Sequence, residues 1–475
     1  MPDSHIGAIL TAVVMLHAAA IAAGILTERR QPAAKLAWFL TLFYLPVLGV
    51  LLYLLFGRLR PRLRLRKRMR SNISHMRSAG TLPSALQLQT HEIPAALRGL
   101  IELTRRTSGA AISTGDEATI LFEGASKIVK LLDAIGEARE YVHLEYYIFR
   151  PDRTGEMVRD ALVAALQRGV AVRFMWDGAG SYGLDRRFLE PLEEAGGHVA
   201  VFLPIRLPLF TDRRDFRNHR KLAIVDGETG FVGGMNIGDE YLGETAGRPH
   251  WRDCHLRLVG PAVQDLERIF EEDWFHATGE EIEWGEDRPS RPGDDIVQIV
   301  SSGPDRPWPT FQQAIFTVIS SAQKNVWITT PYFVPDESIV MALQTAAFRG
   351  VDVRLLVPRK SDLPMMTITN RSYYLPLLEA GVRIFEYTGG MIHAKTITAD
   401  GLYSLVGSAN MDRRSFRLNF EVCVSIMGRR CAAALETAFA SDLARSREVA
   451  LEEWRQRSRL ERMLEAVAQL LSPLL

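Results

Sequence analysis

The sequence predicts a chain of class α/β in which an N-terminal transmembrane hairpin of two helices precedes two homologous domains. Two observations lead to this class. Two long uncharged segments lie near the N terminus, and beyond residue 110 helix-like and strand-like stretches alternate in two copies. The length of 475 residues exceeds the usual size of one hydrophobic core, which agrees with several structural units.

The hairpin is predicted from two apolar segments, residues 6–26 and 36–56. Each has 21 residues without a formal charge, and a helix of that length spans a hydrocarbon core of about 30 Å. A cleavable signal peptide is disfavoured because no Lys or Arg precedes the first segment. Residues 58–70 then carry eight Lys or Arg residues and no acid, so the positive-inside rule places the rest of the chain in the cytoplasm.

The domains are predicted from an internal repeat. Residues 141–152 match residues 325–336, and both are strand-like segments that end in Phe-x-Pro-Asp. In both copies a helical stretch follows, and an Arg-Gly pair is expected to end it. A polar segment at 218–236 likewise matches 392–410. A repeat of this length indicates duplicated domains and not a solenoid.

The domain boundaries follow from the repeat and from an acidic, Pro-rich linker at residues 284–295. We predict a transmembrane hairpin at 1–57, a basic juxtamembrane linker at 58–110, a first domain at 111–290 and a second domain at 291–475.

Composition excludes some classes of partner. Lys plus Arg number 57 against 56 for Asp plus Glu, so a formal charge of +1 provides no overall field for nucleic acid. The three cysteines, Cys254, Cys423 and Cys431, lack the spacing of a zinc site or a disulfide framework. They predict buried thiols in a reducing compartment.

Each domain carries a His-x-Lys sequence followed by four residues and an Asp. In a strand, residues two apart share a face, so His and Lys point into one pocket. The Asp, seven residues after the His, falls on the opposite face and is expected to brace the framework. The candidate catalytic residues are His219, Lys221, Asp226, His393, Lys395 and Asp400.

A turn of small residues follows each motif. The first contains Gly234 and Asn236, and the second contains Ser408 and Asn410. Such turns let backbone amides and an Asn amide approach phosphate oxygens. Imidazoles supply nucleophilic and acid–base groups, and two Lys stabilise charge, so the constellation predicts a site for a phosphodiester.

The doubled motif with its turns resembles the phospholipase D superfamily over roughly residues 115–445. The resemblance implies two α/β/α domains related by a pseudo-twofold axis, one active site at their interface, and no metal ion or other cofactor. It implies that His219 forms a phosphohistidine and His393 protonates the leaving alcohol. Family members also hold the imidazole with a carboxylate downstream of the Asn, for which Glu421 and Asp253 are candidates; a purely structural role for these acids stays open.

The segments around the motifs, residues 218–243, 251–253, 390–401 and 406–422, resemble bacterial cardiolipin synthases of the long, membrane-anchored type, and so does the end of the second apolar segment at residues 46–58. That family joins two phosphatidylglycerol molecules into cardiolipin and glycerol. The resemblance implies an anionic phospholipid substrate, a membrane bilayer as the place of action, and a multi-pass protein of the bacterial inner membrane. Gly234 stands where the second copy has Ser408, so one candidate hydroxyl donor is absent.

Several alternatives stay open at this point. One alternative is a phosphatidyltransferase or hydrolase whose acceptor is phosphatidylethanolamine, a polyol or water, because acceptor choice depends on pocket shape. A membrane-bound nuclease is disfavoured by the hairpin and the near-neutral charge, and an inactive scaffold by two intact motifs. No nucleic-acid partner is expected, and the sequence does not determine an oligomeric state.

Two surface features complete the predictions. Residues 202–217 combine apolar residues with Arg, which fits either a loop that dips into the lipid head groups or a buried strand and turn. The C-terminal residues 457–475 predict an amphipathic helix, which packs on the second domain or contacts the membrane surface.

Overall fold

The computed structural model describes residues 15–16, 18–27, 32–53, 95–204, 216–243, 251–282 and 293–471. Within these ranges the chain forms two compact units, one comprising the helices before residue 54 and the other comprising the chain from residue 95 onward. Most of the predicted juxtamembrane linker lies outside the described residues. So does the central part of the predicted head-group loop, at 205–215.

The N-terminal unit is helical. Residues 18–27 are helical, and α1 (Pro32–Tyr44) and α2 (Pro46–Leu52) follow. Pro46 is the first residue of α2 and disfavours helical geometry at Leu45, so the second predicted span is divided there. No helix within the described ranges has the length and apolarity that a transmembrane span requires. The spanning hairpin accordingly stays a prediction.

The first domain alternates strands and helices. Its strands are β1 (Ile112–Leu121), β2 (Tyr141–Tyr146), β3 (Ala171–Asp177), β4 (His198–Phe202), β5 (Arg217–Asn218), β6 (Lys221–Val225), β7 (Thr229–Gly233), β8 (Trp251–Arg252) and β9 (His255–Val259). The helix α3 (Ala95–Ser108) precedes the first domain and packs in the core of the second domain through Leu100 and Ile101. The helices of the first domain are α4 (Gly124–Glu137), α5 (Arg153–Gln167), α6 (Arg186–Glu194) and α7 (Val263–Thr278), with a 3₁₀ turn at Asp239–Tyr241.

The second domain repeats this plan. Its strands are β10 (Asp295–Ser302), β11 (Asn325–Thr329), β12 (Phe333–Val334), β13 (Asp352–Pro358), β14 (Arg383–Tyr387), β15 (Met391–Ile392), β16 (Thr396–Ala399), β17 (Tyr403–Gly407), β18 (Met411–Asp412), β19 (Asn419–Met427) and β20 (Ser446–Glu448). Its helices are α8 (Thr310–Ser321), α9 (Glu337–Phe348), α10 (Pro364–Ser372), α11 (Tyr374–Glu379), α12 (Arg413–Arg417), α13 (Arg429–Leu443), α14 (Leu451–Arg455) and α15 (Arg459–Leu471).

One long sheet runs through both domains. In the first domain its order is β4-β3-β2-β6-β7-β9-β1, and it continues through β10-β19-β17-β16-β11-β13-β14-β20. The domains join where β1 pairs antiparallel with β10. Outward from this junction the strand order of one domain repeats that of the other. The predicted α/β class with two homologous domains is therefore confirmed.

The repeated sequence signals act at helix ends. Asp152 and Asp336, the last residues of the Phe-x-Pro-Asp segments, accept hydrogen bonds from Gly155 N and Ile339 N at 3.0 and 3.3 Å and so cap α5 and α9. The predicted Arg-Gly helix ends are also confirmed. Gly169 and Gly350 follow α5 and α9 with φ of 88° and 83°, a region that favours glycine.

Each domain buries its own apolar core between the sheet and its helices. Leu144 and Phe174 represent the core of the first domain, and Ile328 and Leu355 that of the second. The C-terminal helix α15 packs against α10 of the second domain, which is the first of the two arrangements predicted for it. The cores hold the long sheet in place and so fix the strand ends on which the motifs lie.

Candidate active site

Each motif histidine is held in place by a strand of the other domain. β5, just before His219, pairs parallel with the start of β19, and β15, just before His393, pairs parallel with β8. His219 N donates to Phe420 O at 2.9 Å, and His393 N donates to Arg252 O at 2.7 Å. The two domains thus exchange backbone hydrogen bonds at the motifs.

The residue that follows each accepting carbonyl is an acid that contacts the histidine ring. The Nδ1 atom of His219 lies 3.1 Å from Glu421 Oε2 and 3.0 Å from the carbonyl oxygen of Ser408. The Nδ1 atom of His393 lies 2.7 Å from Asp253 Oδ2. A carboxylate at Nδ1 favours the tautomer with the proton on Nδ1, which leaves Nε2 unprotonated.

Glu421 lies within a complete hydrogen-bond network. Its Oε2 atom accepts from Ser408 Oγ at 2.5 Å, and its Oε1 atom accepts from Ser415 Oγ at 2.8 Å and Asn419 Nδ2 at 3.2 Å. Burial alone would raise the pKa of Glu421, but its interactions with His219 and Lys221 and these hydrogen bonds lower it to about 2. The carboxylate is therefore ionised and fixed in orientation.

The charge states of the other three groups follow the same pattern. Burial would raise the pKa of Asp253, yet Lys395 and His393 lower it below its ordinary value. Burial lowers the pKa of His219, against the opposing charge of Glu421. Burial and the charge of Lys395 together lower the pKa of His393 to about 4. Both imidazoles are thus neutral near pH 7, as a nucleophile and a proton acceptor must be.

The two lysines lie beside the histidines of their own motifs. Lys221 Nζ donates to His219 O at 2.5 Å, and Lys395 Nζ donates to His393 O and lies 2.8 Å from His393 Nδ1. Burial, opposed by Glu421 and assisted by the charge of Lys395, lowers the pKa of Lys221 to about 7. Burial, opposed by nearby carboxylates, lowers that of Lys395 to about 8. The charge of Lys395 in the second motif thus lowers the pKa of Lys221 in the first motif.

Asp226 and Asp400 lie in the turns after β6 and β16. Their φ values are 53° and 55°, and a glycine with positive φ follows each, as in Asp-Gly hairpin turns. Asp226 accepts from the backbone N–H groups of residues 139–141 at 2.8–2.9 Å. Asp400 accepts from those of residues 323–325 at 2.7–3.1 Å. The two carboxylates thus hold the chain at the start of β2 and of β11, respectively.

The asparagines occupy buried positions after the motifs. The Oδ1 atom of Asn236 accepts from Ile148 N at 3.1 Å, and its Nδ2 atom donates to Tyr241 Oη at 2.9 Å. The amide of Asn236 is thus bound to its own domain instead of facing an open pocket. The Oδ1 atom of Asn410 is buried and has no hydrogen-bond partner in the part of the chain that the structure describes.

The difference between Gly234 and Ser408 has a steric reason. The Ser408 hydroxyl donates to Glu421, so it serves the carboxylate and is not free for a substrate. At position 234 a Cβ atom would lie 2.2 Å from Asp253 Oδ1, and there is no space for one. The carboxylate of Asp253 fills the place that the Ser408 side chain occupies in the other domain.

Sequence reasoning missed the aromatic residues around the histidines. Tyr147 lies edge-on to His219 with ring centroids 4.7 Å apart, and Trp251 lies 4.8 Å from His393. Tyr332 approaches His393 at 6.4 Å. Tyr147 and Tyr332 follow β2 and β11, where an aromatic in an apolar run is ordinarily assigned to the core. Both tyrosines lie next to the repeated strand segment, and this position was the signal that could have identified them.

No group of three or more His, Cys, Asp or Glu side chains within the described ranges is arranged to hold a metal ion. The groups that meet at the site are imidazoles, ammonium groups and carboxylates. Cys254, Cys423 and Cys431 are free thiols and are buried.

Comparison with protein families identifies the domain pair. A family model described as "Cardiolipin synthase, PLD-like domain" matches residues 131–274 and 315–443, and each segment contains one copy of the motif. A second model, described as "Phospholipase_D-nuclease N-terminal", matches residues 15–58. The chain belongs to the phospholipase D-like cardiolipin synthase family.

Curated members of this family are similar along nearly the whole chain. A cardiolipin synthase of Geobacillus thermodenitrificans (strain NG80-2) is 39% identical over 453 residues, which cover 94% of this chain and 90% of that protein. Cardiolipin synthase 2 of Bacillus anthracis is 38% identical over 467 residues, covering 95% and 88%. A crystal structure of phosphatidylserine synthase from Haemophilus influenzae Rd KW20 aligns with a TM-score of 0.57 over 79% of this chain and 98% of that chain. At 13% identity it supports the fold alone.

Proposed function

We propose that this chain is a cardiolipin synthase that transfers the phosphatidyl group of one phosphatidylglycerol molecule to a second one, with release of glycerol. One observation carries the chemical part of the proposal. His219 and His393 are neutral, and the Nδ1 atom of each contacts a buried carboxylate of the other domain. This arrangement presents two Nε2 atoms with lone pairs, one for attack on phosphorus and one for proton transfer.

In the first half of the reaction, Nε2 of His219 attacks the phosphorus of the bound phosphatidylglycerol. The P–O bond to the glycerol head group breaks, and the leaving oxygen takes a proton from His393. His219 is assigned attack because both neighbours of its Nδ1, the Ser408 carbonyl and Glu421, are acceptors. The Nδ1 of His393 has Asp253 on one side and the Lys395 amine on the other. The Lys395 cation disfavours a lasting positive charge on this imidazole, which suits a group that gives and takes a proton at Nε2.

In the second half, a hydroxyl of another phosphatidylglycerol attacks the phosphohistidine. The neutral His393 now accepts the hydroxyl proton, the P–N bond to His219 breaks, and cardiolipin is released. His393 must carry a proton in the first half although its pKa is about 4 in the free protein. The negative phosphodiester adds an anion beside the imidazole, and an anion raises the pKa of a neighbouring base.

Lys221 and Lys395 supply the charge for the transition state. Both ammonium groups are buried beside the motif histidines, where a charge acts more strongly than it does in water. Asn410 completes the same pocket in this proposal, whereas the amide of Asn236 stays bonded to Ile148 and Tyr241. Asp226 and Asp400 act on the framework through the backbone and do not touch phosphorus.

We infer that the enzyme works at the bacterial inner membrane with its two domains on the cytoplasmic side. The uncharged segments at 6–26 and 36–56 and the basic residues at 58–70 support this placement. Protease digestion of inverted membrane vesicles tests it: the domains should be cut there and protected in vesicles of native orientation.

The reaction itself is tested with the full-length chain reconstituted in phosphatidylglycerol vesicles that contain a metal chelator. We expect cardiolipin and glycerol in equal amounts by mass spectrometry, with activity that survives chelation. His219→Ala and His393→Ala should both abolish it. His198→Ala, at an exposed histidine in β4, is the matched control and should retain full activity.

The products distinguish the alternatives. Phosphatidic acid in place of cardiolipin would assign water as the acceptor and overturn the synthase proposal. Cardiolipin formation by the His219→Ala variant would overturn the assignment of the nucleophile. A phosphatidyl adduct found by mass spectrometry on a residue other than His219 would do the same.

A further inference from the structure

An apolar surface lies exposed on α10 and α15 of the second domain. Its members are Leu363, Met365 and Ile368 at and within α10, and Leu460, Met463, Leu464, Val467 and Leu470 on α15. Their side chains are 36% to 78% exposed, and the two helices pack against each other. We call these eight residues the α10–α15 surface. Exposed apolar side chains grouped on two packed helices mark a place of contact with a membrane or with another protein.

Helix α15 exposes the apolar side that an ordinary surface helix buries. Its five exposed apolar residues follow a three- and four-residue spacing and form one stripe. The side that faces the domain contains Glu465, bonded to Arg457, and Ala468, both buried. An amphipathic helix normally buries its apolar stripe. Here the protein covers the opposite side, and the apolar stripe remains available.

The α10–α15 surface adjoins the active site. Tyr332 approaches His393 at 6.4 Å, and its hydroxyl donates to the Asp362 carboxylate at 2.8 and 2.9 Å. Leu363, the first residue of the surface, follows Asp362 directly. On the inner side of α10, Asn370 accepts from Phe333 N and donates to Pro331 O, so the helix holds the segment that carries Tyr332. The surface is therefore rigidly connected to the rim of the pocket.

Positive charge accompanies the surface. Arg359 and Lys360 precede it at one side, and Arg459 and Arg462 lie on α15 itself. None of these four makes an ion pair with another residue that the structure describes, whereas the neighbouring Arg455 is paired with Glu379. Unpaired cations around exposed apolar side chains match an anionic lipid surface, in which apolar groups enter the acyl boundary and cations meet the head groups.

We propose that the α10–α15 surface docks onto an anionic phospholipid bilayer and so places the His393 side of the pocket at the level of the lipid head groups. The choice of lipid as occupant rests on the proposed function. The surface itself rests on the exposed side chains, the unpaired cations and the contact with Tyr332. A lipid substrate would then move only a short distance out of the bilayer to reach the pocket.

The proposal is tested with the full-length chain carrying Met463→Cys labelled with an environment-sensitive fluorophore. The native cysteines Cys254, Cys423 and Cys431 are buried, so the label reports the introduced position. The protein is reconstituted in vesicles of phosphatidylglycerol with phosphatidylcholine, or of phosphatidylcholine alone, with brominated acyl chains as quenchers. Val129→Cys, on the exposed side of α4, is the matched control.

We expect the label at 463 to be quenched in the anionic vesicles and the label at 129 to remain unquenched. Arg459→Gln combined with Arg462→Gln should reduce the docked fraction roughly tenfold, since each charge near an anionic surface contributes to binding. Because the readout needs no catalysis, an enzyme without cardiolipin synthesis would still show docking if this inference holds.

Two outcomes would overturn the inference. The label at 463 remaining in water in anionic vesicles would show that the surface does not meet the bilayer. A spectral shift that grows with protein density and is insensitive to brominated lipid would assign the surface to a second copy of the chain.

Discussion

Glu421 and Asp253 each contact the Nδ1 atom of a histidine that belongs to the other domain. This crossing has a structural cause. The backbone of each histidine is bonded to the residue just before the acid, at Phe420 or Arg252. One short parallel strand pair therefore aligns both the main chain and the side-chain contact, and the imidazole has little freedom to rotate.

Replacing Glu421 with Gln should decrease cardiolipin synthesis by roughly 10³- to 10⁴-fold, as expected when a carboxylate no longer fixes an imidazole tautomer. Asn419 Nδ2 donates to the Oε1 position, which favours the amide oxygen there and turns the amide NH₂ toward His219. The Nδ1 atom then becomes an acceptor and Nε2 carries the proton. Turnover of phosphatidylglycerol measures the loss, and an unchanged melting temperature shows that the fold persists.

Replacing Asp253 with Asn separates the two roles. In the proposed mechanism His393 protonates the leaving alcohol. A phosphatidyl ester whose leaving group needs no proton should then restore the first step in Asp253→Asn but not in Glu421→Gln. The release of that leaving group in a single turnover is the measurement. The reverse pattern of rescue would exchange the roles of His219 and His393.

The dependence of kcat/KM on pH should be bell-shaped. The pKa of Lys221 is about 7 and that of Lys395 about 8, so the free enzyme loses both cations as the pH rises through this range. The pKa of His219 lies below its ordinary value, so protonation of this imidazole lowers activity only at pH values below that ordinary value. A bound phosphodiester stabilises the cations, and kcat should fall at higher pH than kcat/KM does. A kcat/KM that still rises above pH 9 would contradict this assignment.

For single residues, the sequence indicated the motif side chains but did not predict all of their contacts. The repeated spacing marked His219 and His393 as candidates, because duplication of a rare pattern is a strong signal, and the structure places a buried carboxylate at each ring. The hydroxyl of Ser408 and the amide of Asn236 were expected to face a phosphate, and the structure gives them partners within the protein. Rotamers and partners distant in sequence decide such contacts, and a linear pattern does not contain them.

The Asp-Gly turns after β6 and β16 connect the motif strands to the framework. Asp226→Ala should destabilise the protein by about 2 kcal/mol or more, because it removes three accepted backbone hydrogen bonds and places alanine at a φ of 53°. Asp226→Asn should cost less, since Asn tolerates this conformation and keeps one acceptor. Denaturant unfolding of both variants measures the difference.

The matched experiment uses Asp400, whose turn has the same geometry in the second domain. Asp400→Ala should cause a loss of similar size. If either alanine variant retained full stability while losing activity, the aspartate would have a role at phosphorus instead of in the turn.

Element ends were predictable wherever a local signal determines them. The capping aspartates and the glycines at 169 and 350 are of this kind, because propensity at a helix end depends on a few neighbouring residues. The two-residue strands β5, β8 and β15 were not predicted. They exist only through pairing with partners more than 100 residues away, so no local periodicity announces them.

For the whole molecule, the repeat gave the correct number of domains and their class. The mirrored order of the long sheet follows once each domain folds alike and β1 meets β10. The repeat alone does not say which edges join. That junction depends on backbone pairing between distant strands, which also brings the two motifs within electrostatic reach of each other.

A single chain should contain one complete site, and a mixing experiment tests this. His219→Ala and His393→Ala chains, each with a different affinity tag, are coexpressed and purified in sequence through both tags, and cardiolipin synthesis is measured. Because the exchanged hydrogen bonds of His219 and His393 connect the domains of the same chain, each variant lacks one half of its own site. We expect no activity above the sum of the separate variants. Restored activity would mean that the domains pair between chains, with β1 of one chain beside β10 of another.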